Sequence, residues 1–409
     1  MVMWVVVPIG ILADGTLSVL RQLRDGNDFP IYWGAAHALL AGASPYEVGS
    51  GLHGFVYLPW FALAMAPLAL LPIVVAAWVW YLANLAFLWY SGRALLAALR
   101  HAGVTLRGWV PALATLPLVG LLHDNLQLGQ ANLFLLWLVS LGIRAAQRAG
   151  APAHRGVPFG WAAGILSAAA VLVLPLLVRR RFMVVLGVVL SVALAVGLPL
   201  LEGGGTGVRL LQDWRAKVIA PAAAGTLQGS SIIDQSPQAA LRRLLVAAPA
   251  FDGHAVNVAS LEQSTFARVS RITSLVFLLG YVIVWLFAPR RDSARALLLD
   301  LALGCCAMVQ LTGFNLKAQF VVLLLPAWLA ASLAWEQRWR TRRTALVVAG
   351  ALFLLSQPGL VGRTASNWML AYSSMTVATI ILAKVLAWQR LTPSPSDAPA
   401  AAPPPGTAP

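Results

Sequence analysis

Apolar runs long enough to cross a lipid bilayer recur along the whole of this 409-residue chain, and clusters of basic residues punctuate them. A spanning helix needs about 20 mostly apolar residues. Candidates lie at 2–23, 57–71, 73–96, 109–122, 131–143, 159–178, 182–201, 269–287, 296–312, 320–335, 345–360 and 369–388. Hydrophobic residues make up 59% of the chain and charged residues 11%, and the mean hydropathy is +0.78. A water-soluble fold of this size could not cover its surface with so little charge. The expectation is an all-α, polytopic transmembrane helix bundle of about 10–12 membrane segments.

The net charge of +15 is not a nucleic-acid signature. The basic residues gather at the ends of apolar runs, as Arg179-Arg180-Arg181, Arg290-Arg291 and the stretch 338–343, which is how a chain anchors to anionic cytoplasmic lipid. Placing the basic stretches 93–107, 144–155, 179–181, 290–295 and 338–343 on the cytoplasmic side sends four others to the exterior: a first loop at 24–54, the turn at 123–130, a long stretch at 202–267, and 315–317. The organisation read from this is an N-terminal membrane module (1–201), a long exterior loop (202–267), C-terminal membrane helices (268–390) and a disordered Pro/Ala-rich tail (391–409). The location expected is a cell membrane, with multiple passes, and the first apolar run reads as a retained helix rather than a signal peptide.

The charge pattern conflicts with simple crossing in two places. Two apolar runs, 57–71 and 73–96, separate the exterior first loop from the cytoplasmic Arg93, where one crossing is required; the single run 159–178 joins two basic loops that belong on one side. Pro59, Pro67 and Pro72 mark the first of these runs and Pro175 the second. Both are expected to be broken or re-entrant, since irregular backbone at membrane depth is tolerated where it is buried in protein or lines a cavity. The competing explanation is that the charge rule misassigns one loop.

With 14 Asp and Glu in the whole chain, a carboxylate beside the membrane stands out. Asp28, within Gly26-Asn27-Asp28-Phe29-Pro30-Ile31-Tyr32, fits either a catalytic base at the membrane surface or an exposed loop charge flanking a helix. Tyr32 and Tyr57 are aromatic neighbours of that loop. A second polar group runs His123-Asp124-Asn125-Leu126-Gln127-Leu128-Gly129-Gln130-Ala131-Asn132. The amides of Gln130 and Asn132 can hydrogen-bond sugar hydroxyls or phosphate oxygens, or can cap and join helices. In the long loop, Arg215 and Lys217 beside Trp214 could clamp a lipid phosphate, and Asp234-Gln235-Ser236 with Arg242-Arg243 forms a further cluster; a solvated loop face explains both equally well. Asn315, Lys317 and Gln319, with Gln310 earlier, are more polar groups than packing between late helices requires.

Other chemistries lack their parts. No Gly-x-x-x-x-Gly-Lys loop is present to cradle nucleotide phosphates, and no Asp-x-Asp pair or His/Cys/Glu cluster has metal-ligand spacing, so no cofactor and no metal is expected. Cys305 and Cys306 are adjacent in an apolar run and form neither a disulfide framework nor a metal site. A transporter or flippase of a lipid-linked or small polar substrate stays open, because broken helices and buried polar groups serve translocation too; no internal repeat between the halves supports it.

The order of these features resembles glycosyltransferase family 87, polytopic enzymes of the GT-C class. It comprises Asp28-Phe29-Pro30-Ile31-Tyr32, Ala35-Ala36, Gly42 to Tyr46, Tyr57-Leu58-Pro59, Pro67 to Pro72, Gly129-Gln130-Ala131-Asn132, and Ala163-Gly164 leading to Pro175. The resemblance covers residues 1–245 and runs more loosely to about 390. It implies a membrane-embedded exterior site, a polyprenyl-phosphate-linked sugar donor, commonly of mannose or arabinofuranose, a glycan or glycolipid acceptor, and inverting transfer. It assigns the general base to Asp28. Asp234-Gln235-Ser236 with Arg242 stands where the family often has Asn-Gln-Ser followed by Arg. Leu172 stands where a Lys is common, so Lys317, Arg215 or Lys217 would have to meet the donor phosphate. A late His-bearing stretch of many members is replaced by Leu311-Thr312-Gly313-Phe314-Asn315.

Overall fold

The structure is a computed structural model and describes residues 2–24, 27–49, 54–148, 150–202, 205–223, 230–289, 293–337 and 339–392. The tail from residue 393, Arg290-Arg291, Arg338 and Gly203-Gly204 lie outside the described residues. Those described are helical, with no strand among them and two isolated bridges, between Asp234 and Leu316 and between Phe251 and His254.

Helices α1 (Val2–Gln22), α2 (Asp28–Leu40), α3 (Pro59–Ala69) and α4 (Ile73–His101) open the chain. Helix α5 (Trp109–Thr115) passes through a 3-10 turn around Pro117 into α6 (Val119–Leu128), and α7 (Asn132–Ala146), α8 (Val157–Ile165) and α9 (Val173–Val178) follow. After α10 (Phe182–Gly197), the described residues of the stretch read as a long loop include α11 (Thr206–Trp214), α12 (Ala220–Ala223) and α13 (Pro237–Leu245). The remaining helices are α14 (Gln263–Phe287), α15 (Ala294–Leu311), α16 (Leu324–Glu336), α17 (Arg340–Leu355), α18 (Pro358–Val361), α19 (Arg363–Ala371) and α20 (Ser374–Leu391). Among the described residues, five continuous helical stretches are long and apolar enough to cross a bilayer: Ile73–His101, Phe182–Leu201, Gln263–Phe287, Ala294–Leu311 and Lys317–Glu336. Helices α19 and α20, bent by 58°, could form a sixth. The chain is a multi-pass helical membrane protein.

Helix α15 is the central post. Its residues from Ala296 to Gln310 are all buried, so a helix apolar on every side here means burial in protein. Helices α10 and α14 lie outside it and leave large apolar side chains uncovered, among them Val189 at 56% and Ile272 at 61% exposure. Such surfaces suit lipid as the surrounding solvent.

Charged contacts separate into two poles. At one, Asp300 accepts from Arg179 at 2.6 Å and from Arg390 at 2.7 Å, while Arg295 pairs with Glu336 at 2.8 Å. Arg343 caps α16 there, donating to the carbonyls of Ala334 and Trp335. At the other pole lie Asp28, the Gly129 turn, Lys317 and Asp234. Helices α4 and α7 run side by side between the poles: Trp80 reaches Gly129 at one end, and Gln147, just past α7, reaches Ala98 at the other.

The two proline-marked runs do not connect the poles. Tyr57, before α3, bonds Tyr32, and Leu71, after it, accepts from Trp33 of the same helix α2 at 3.2 Å. Helix α3, 11 residues and unbroken, is too short to cross a bilayer and packs against α2 at both of its ends. Helix α8 rises beside α10 in parallel, with Gly156 packed on Val184 and Gly160 on Val188 and Ser191. The chain breaks at Leu166, where φ −126° and ψ 108° are extended, and returns through a 3-10 stretch and α9 to Arg179 at the arginine pole. The break expected in 159–178 is present, and that segment begins and ends at the arginine pole; the break expected in 57–71 is not, since α3 runs unbroken through Pro67.

Candidate active site

Asp28 is the first residue of α2, where the helix dipole favours negative charge. One turn later on the same face comes Tyr32, fully buried, with its hydroxyl 2.8 Å from that of Tyr57 and the two rings edge to face at 5.3 Å. Burial first, and then the Asp28 carboxylate, hold both phenols above the usual tyrosine range, while a backbone hydrogen bond from Ala131 works the other way on Tyr32. Both tyrosines are thus neutral hydroxyls at physiological pH, and Asp28 lies within electrostatic reach of each.

The Gly129-Gln130-Ala131-Asn132 turn forms the facing wall. Gly129 ends α6 in the left-handed region at φ +67°, a conformation glycine adopts without penalty, and its carbonyl accepts from Trp80 at 2.7 Å. A Cβ at this position would stand 2.6 Å from the Cβ of Phe29, so the turn rests against the residue next to Asp28. Asn132 donates to the Gln130 side chain at 2.7 Å, and both are buried. The structure therefore brings Asp28, Tyr32, Tyr57, Gln130 and Asn132 together.

Cations approach from two directions. Lys217 lies on the segment after α11, exposed, with its Nζ 3.4 Å from the carbonyl of Tyr46; the Tyr46 hydroxyl in turn donates to the Tyr57 carbonyl at 2.8 Å. Ser44 fixes the same segment by donating to Asp213 at 2.6 Å. Arg215, two residues earlier, is also exposed. Lys317 pairs with Asp124 at 2.6 Å, both about a quarter exposed, and Asn125 donates to the neighbouring Ala318 carbonyl at 3.0 Å. That joins the Lys317 segment to α6, the helix leading into the Gly129 turn.

The other sequence candidates hold the long loop to the late helices. The Gln235 amide donates to the carbonyls of Ile232 and Leu370, both at 2.9 Å. The Asn315 side chain donates to Val309, and its backbone N–H to Asp234 at 3.0 Å. Arg242 lies over the Phe266 ring, 5.3 Å from its centroid. Its neighbour Arg243 is completely buried and donates to the carbonyls of Ala371, Ser231 and Asp234 and to the Ser373 hydroxyl. Burial brings the Arg243 guanidinium down to about 10, still charged at neutral pH, and pushes the Asp234 carboxyl up against the opposing pull of N–H groups from Ser236 and Asn315.

Leu172, at the position where the resemblance implies a Lys, is fully buried, with its Cδ2 2.7 Å from where a Cβ on Gly304 would stand. It fills the space that a glycine in the central helix leaves open. Sequence reasoning did not single out Tyr46, Asp124, Asp213 or Arg243 as site residues. For Arg243 a signal existed: on a helix starting at Pro237 it lies one turn from the buried Ala239. Among the described residues, no group of three His, Cys, Asp or Glu could hold a metal ion.

The family model of glycosyltransferase family 87 matches residues 55–312, more than half of the chain. The chain belongs to that family and is a membrane glycosyltransferase. Asp28 and Tyr32 precede the matched interval and Asn315 and Lys317 follow it; the other candidates lie within it. Neither a curated protein nor a solved structure matches the chain.

Proposed function

We propose that this protein transfers a sugar, with mannose the leading candidate, from a polyprenyl-phosphate donor to an acceptor hydroxyl of a glycan or glycolipid on the exterior face, with inversion. The observation that carries the reading is the packing of Phe29, the neighbour of Asp28, against Gly129 of the Gly129-Gln130-Ala131-Asn132 turn, with the Tyr32 and Tyr57 hydroxyl pair one turn on from Asp28. An acceptor hydroxyl cannot ionise by itself near neutrality, so a positioned carboxylate must take its proton as the new bond forms. Asp28 accepts that proton, the acceptor oxygen bonds the anomeric carbon, and the bond from that carbon to the phosphate oxygen breaks on the opposite face. The electron pair leaves with the polyprenyl phosphate.

The two neutral tyrosines and the amides of Gln130 and Asn132 supply hydrogen bonds for sugar hydroxyls. The growing charge on the leaving phosphate calls for a cation, a role we give to Lys217, Arg215 and Lys317. Lys317 and Asp124 are partly exposed, so their pairing is worth at most about 1 kcal/mol and Lys317 can turn to an incoming phosphate at little cost. Gln235 and Arg242 support the site from the long loop, and Asn315 from the segment after α15. The polyprenyl chain stays in lipid, so the site must open sideways, and the short α3, which packs against α2 beside Tyr57, is suited to form that opening.

The test is incubation of the purified protein with polyprenyl-phosphate sugars and a mixed glycan acceptor, following release of polyprenyl phosphate. Release coupled to glycan extension is expected. Movement of an intact lipid-linked sugar across a vesicle membrane, without release, would make the protein a flippase instead.

A further inference from the structure

Between α17 and α20, at the arginine pole and so remote from Asp28, the surface holds a cavity of about 800 Å³. That lies within the roughly 300–1,000 Å³ typical of small-molecule sites. Its rim carries Arg340, Arg342 and Lys384, Trp339 and Trp388 flank it, and Val348 and Val385 form part of an apolar floor. Among the described residues, no carboxylate lines it. The cations at this pole that serve structure are already engaged: Arg295 with Glu336, Arg343 with two carbonyls, Arg179 and Arg390 with Asp300.

Arg342 differs from them. Its guanidinium is held over the Trp339 ring and 5.9 Å from the Trp388 ring centroid, and its Nη1 is buried with no hydrogen-bond partner among the described residues. A buried donor without an acceptor is costly and implies a missing one. The backbone adds more donors. Helix α17 begins at Arg340 and its end is tied by the bond from Arg343 N–H to Trp339 at 3.1 Å, so the N–H groups of Thr341 and Arg342 ahead of it have no acceptor within the helix. A helix N-terminus with two arginines and a lysine beside it attracts an anion with several acceptor oxygens.

We propose that this cavity binds an anionic phospholipid of the leaflet at the arginine pole. Its phosphate sits at Arg340, Arg342, Lys384 and the N-terminus of α17, and its acyl chains run along the floor between α17 and α20. The pair of tryptophans suits the headgroup level of a bilayer, and the arginine pole suits its anionic cytoplasmic face. The floor argues for a lipid rather than free phosphate, since Val348 is 45% exposed on a face that water would not favour. The site is independent of the transfer reaction, and its test does not read catalysis.

The experiment titrates detergent-solubilised full-length protein with phosphatidylglycerol, phosphatidylcholine, polyprenyl phosphate or inorganic phosphate, reading bound lipid by native mass spectrometry and stability by thermal melting. Selective binding and stabilisation by phosphatidylglycerol is expected. Each surface cation contributes about a fivefold factor, so Arg340→Gln with Lys384→Gln should weaken binding on the order of 25-fold. Both side chains are exposed, so the fold should survive the change. The matched control, Arg100→Gln with Arg107→Gln, removes equal charge from the same pole and should leave the affinity within about twofold. Equal losses in the two double variants would reduce the effect to general surface charge and overturn the site. So would full stabilisation by inorganic phosphate, or a preference for polyprenyl phosphate over phosphatidylglycerol.

Discussion

Replacing Gly129 by Ala probes the link between the Gly129 turn and the proposed base. Two costs apply, and a second glycine separates them. At φ +67° an alanine takes on the left-handed penalty of about 1–2 kcal/mol. Gly103 has nearly the same backbone, φ +64°, but nothing lies within 4 Å of a Cβ built there, so Gly103→Ala carries the backbone cost alone. At Gly129 the new Cβ meets the Cβ of Phe29 at 2.6 Å. Carbon atoms settle at about 3.5 Å or more, and a Cβ cannot rotate away, so the first turn of α2 must retreat by about 1 Å. Asp28 moves with it. A displacement of that size in a reacting group costs on the order of a hundredfold in rate. Gly129→Ala should therefore melt below Gly103→Ala by the cost of the added clash, and only Gly129→Ala should lose about two orders of magnitude in release of polyprenyl phosphate. Equal activity in the two variants, or Gly129→Ala within a few-fold of wild type, would show that the turn does not position Asp28.

Two other perturbations address the loop and the tyrosines. Arg243→Ala leaves Asp234 buried without its cation and strips three carbonyls and a hydroxyl of their donor, so it should cost about 3–5 kcal/mol, whereas Arg242→Ala costs about 1 kcal/mol; denaturant melts in a fixed detergent compare them. Tyr32 and Tyr57 hold their protons more tightly folded than unfolded, so the stability they contribute is intact below their ordinary pKa of 10.0 and is lost as pH rises through the higher folded values. Because Asp28 is one cause of that shift, Asp28→Asn should bring phenolate absorbance up at lower pH; an unchanged titration would place the carboxylate away from the pair.

Much of this was legible in the sequence, for physical reasons that can be named. Lipid as solvent forces helices with apolar exteriors, so composition alone decides the fold class. The short α3 and the broken segment from α8 to α9 showed themselves as a conflict between basic loops and the number of crossings, because topology must balance along a chain. Gly129 could be noticed as a motif, yet its contact with Phe29 depends on how α2 and α6 pack. The choice between Arg242 and Arg243 rests on helix phase in a stretch that lacks a membrane segment's periodicity. Likewise Leu172 reads as a lost cation, while its fit into the space beside Gly304 is a property of packing between segments more than a hundred residues apart in sequence.

The most direct measurement is transfer by Asp28→Asn, an isosteric change that keeps the hydrogen-bonding shape and removes the proton acceptor. The purified variant should bind a polyprenyl-phosphate sugar with wild-type affinity and melt at the same temperature, while release of polyprenyl phosphate in the presence of acceptor falls by a hundredfold or more, on the order expected for loss of a general base. Transfer near the wild-type rate, with binding intact, would contradict the assignment of Asp28 as the base.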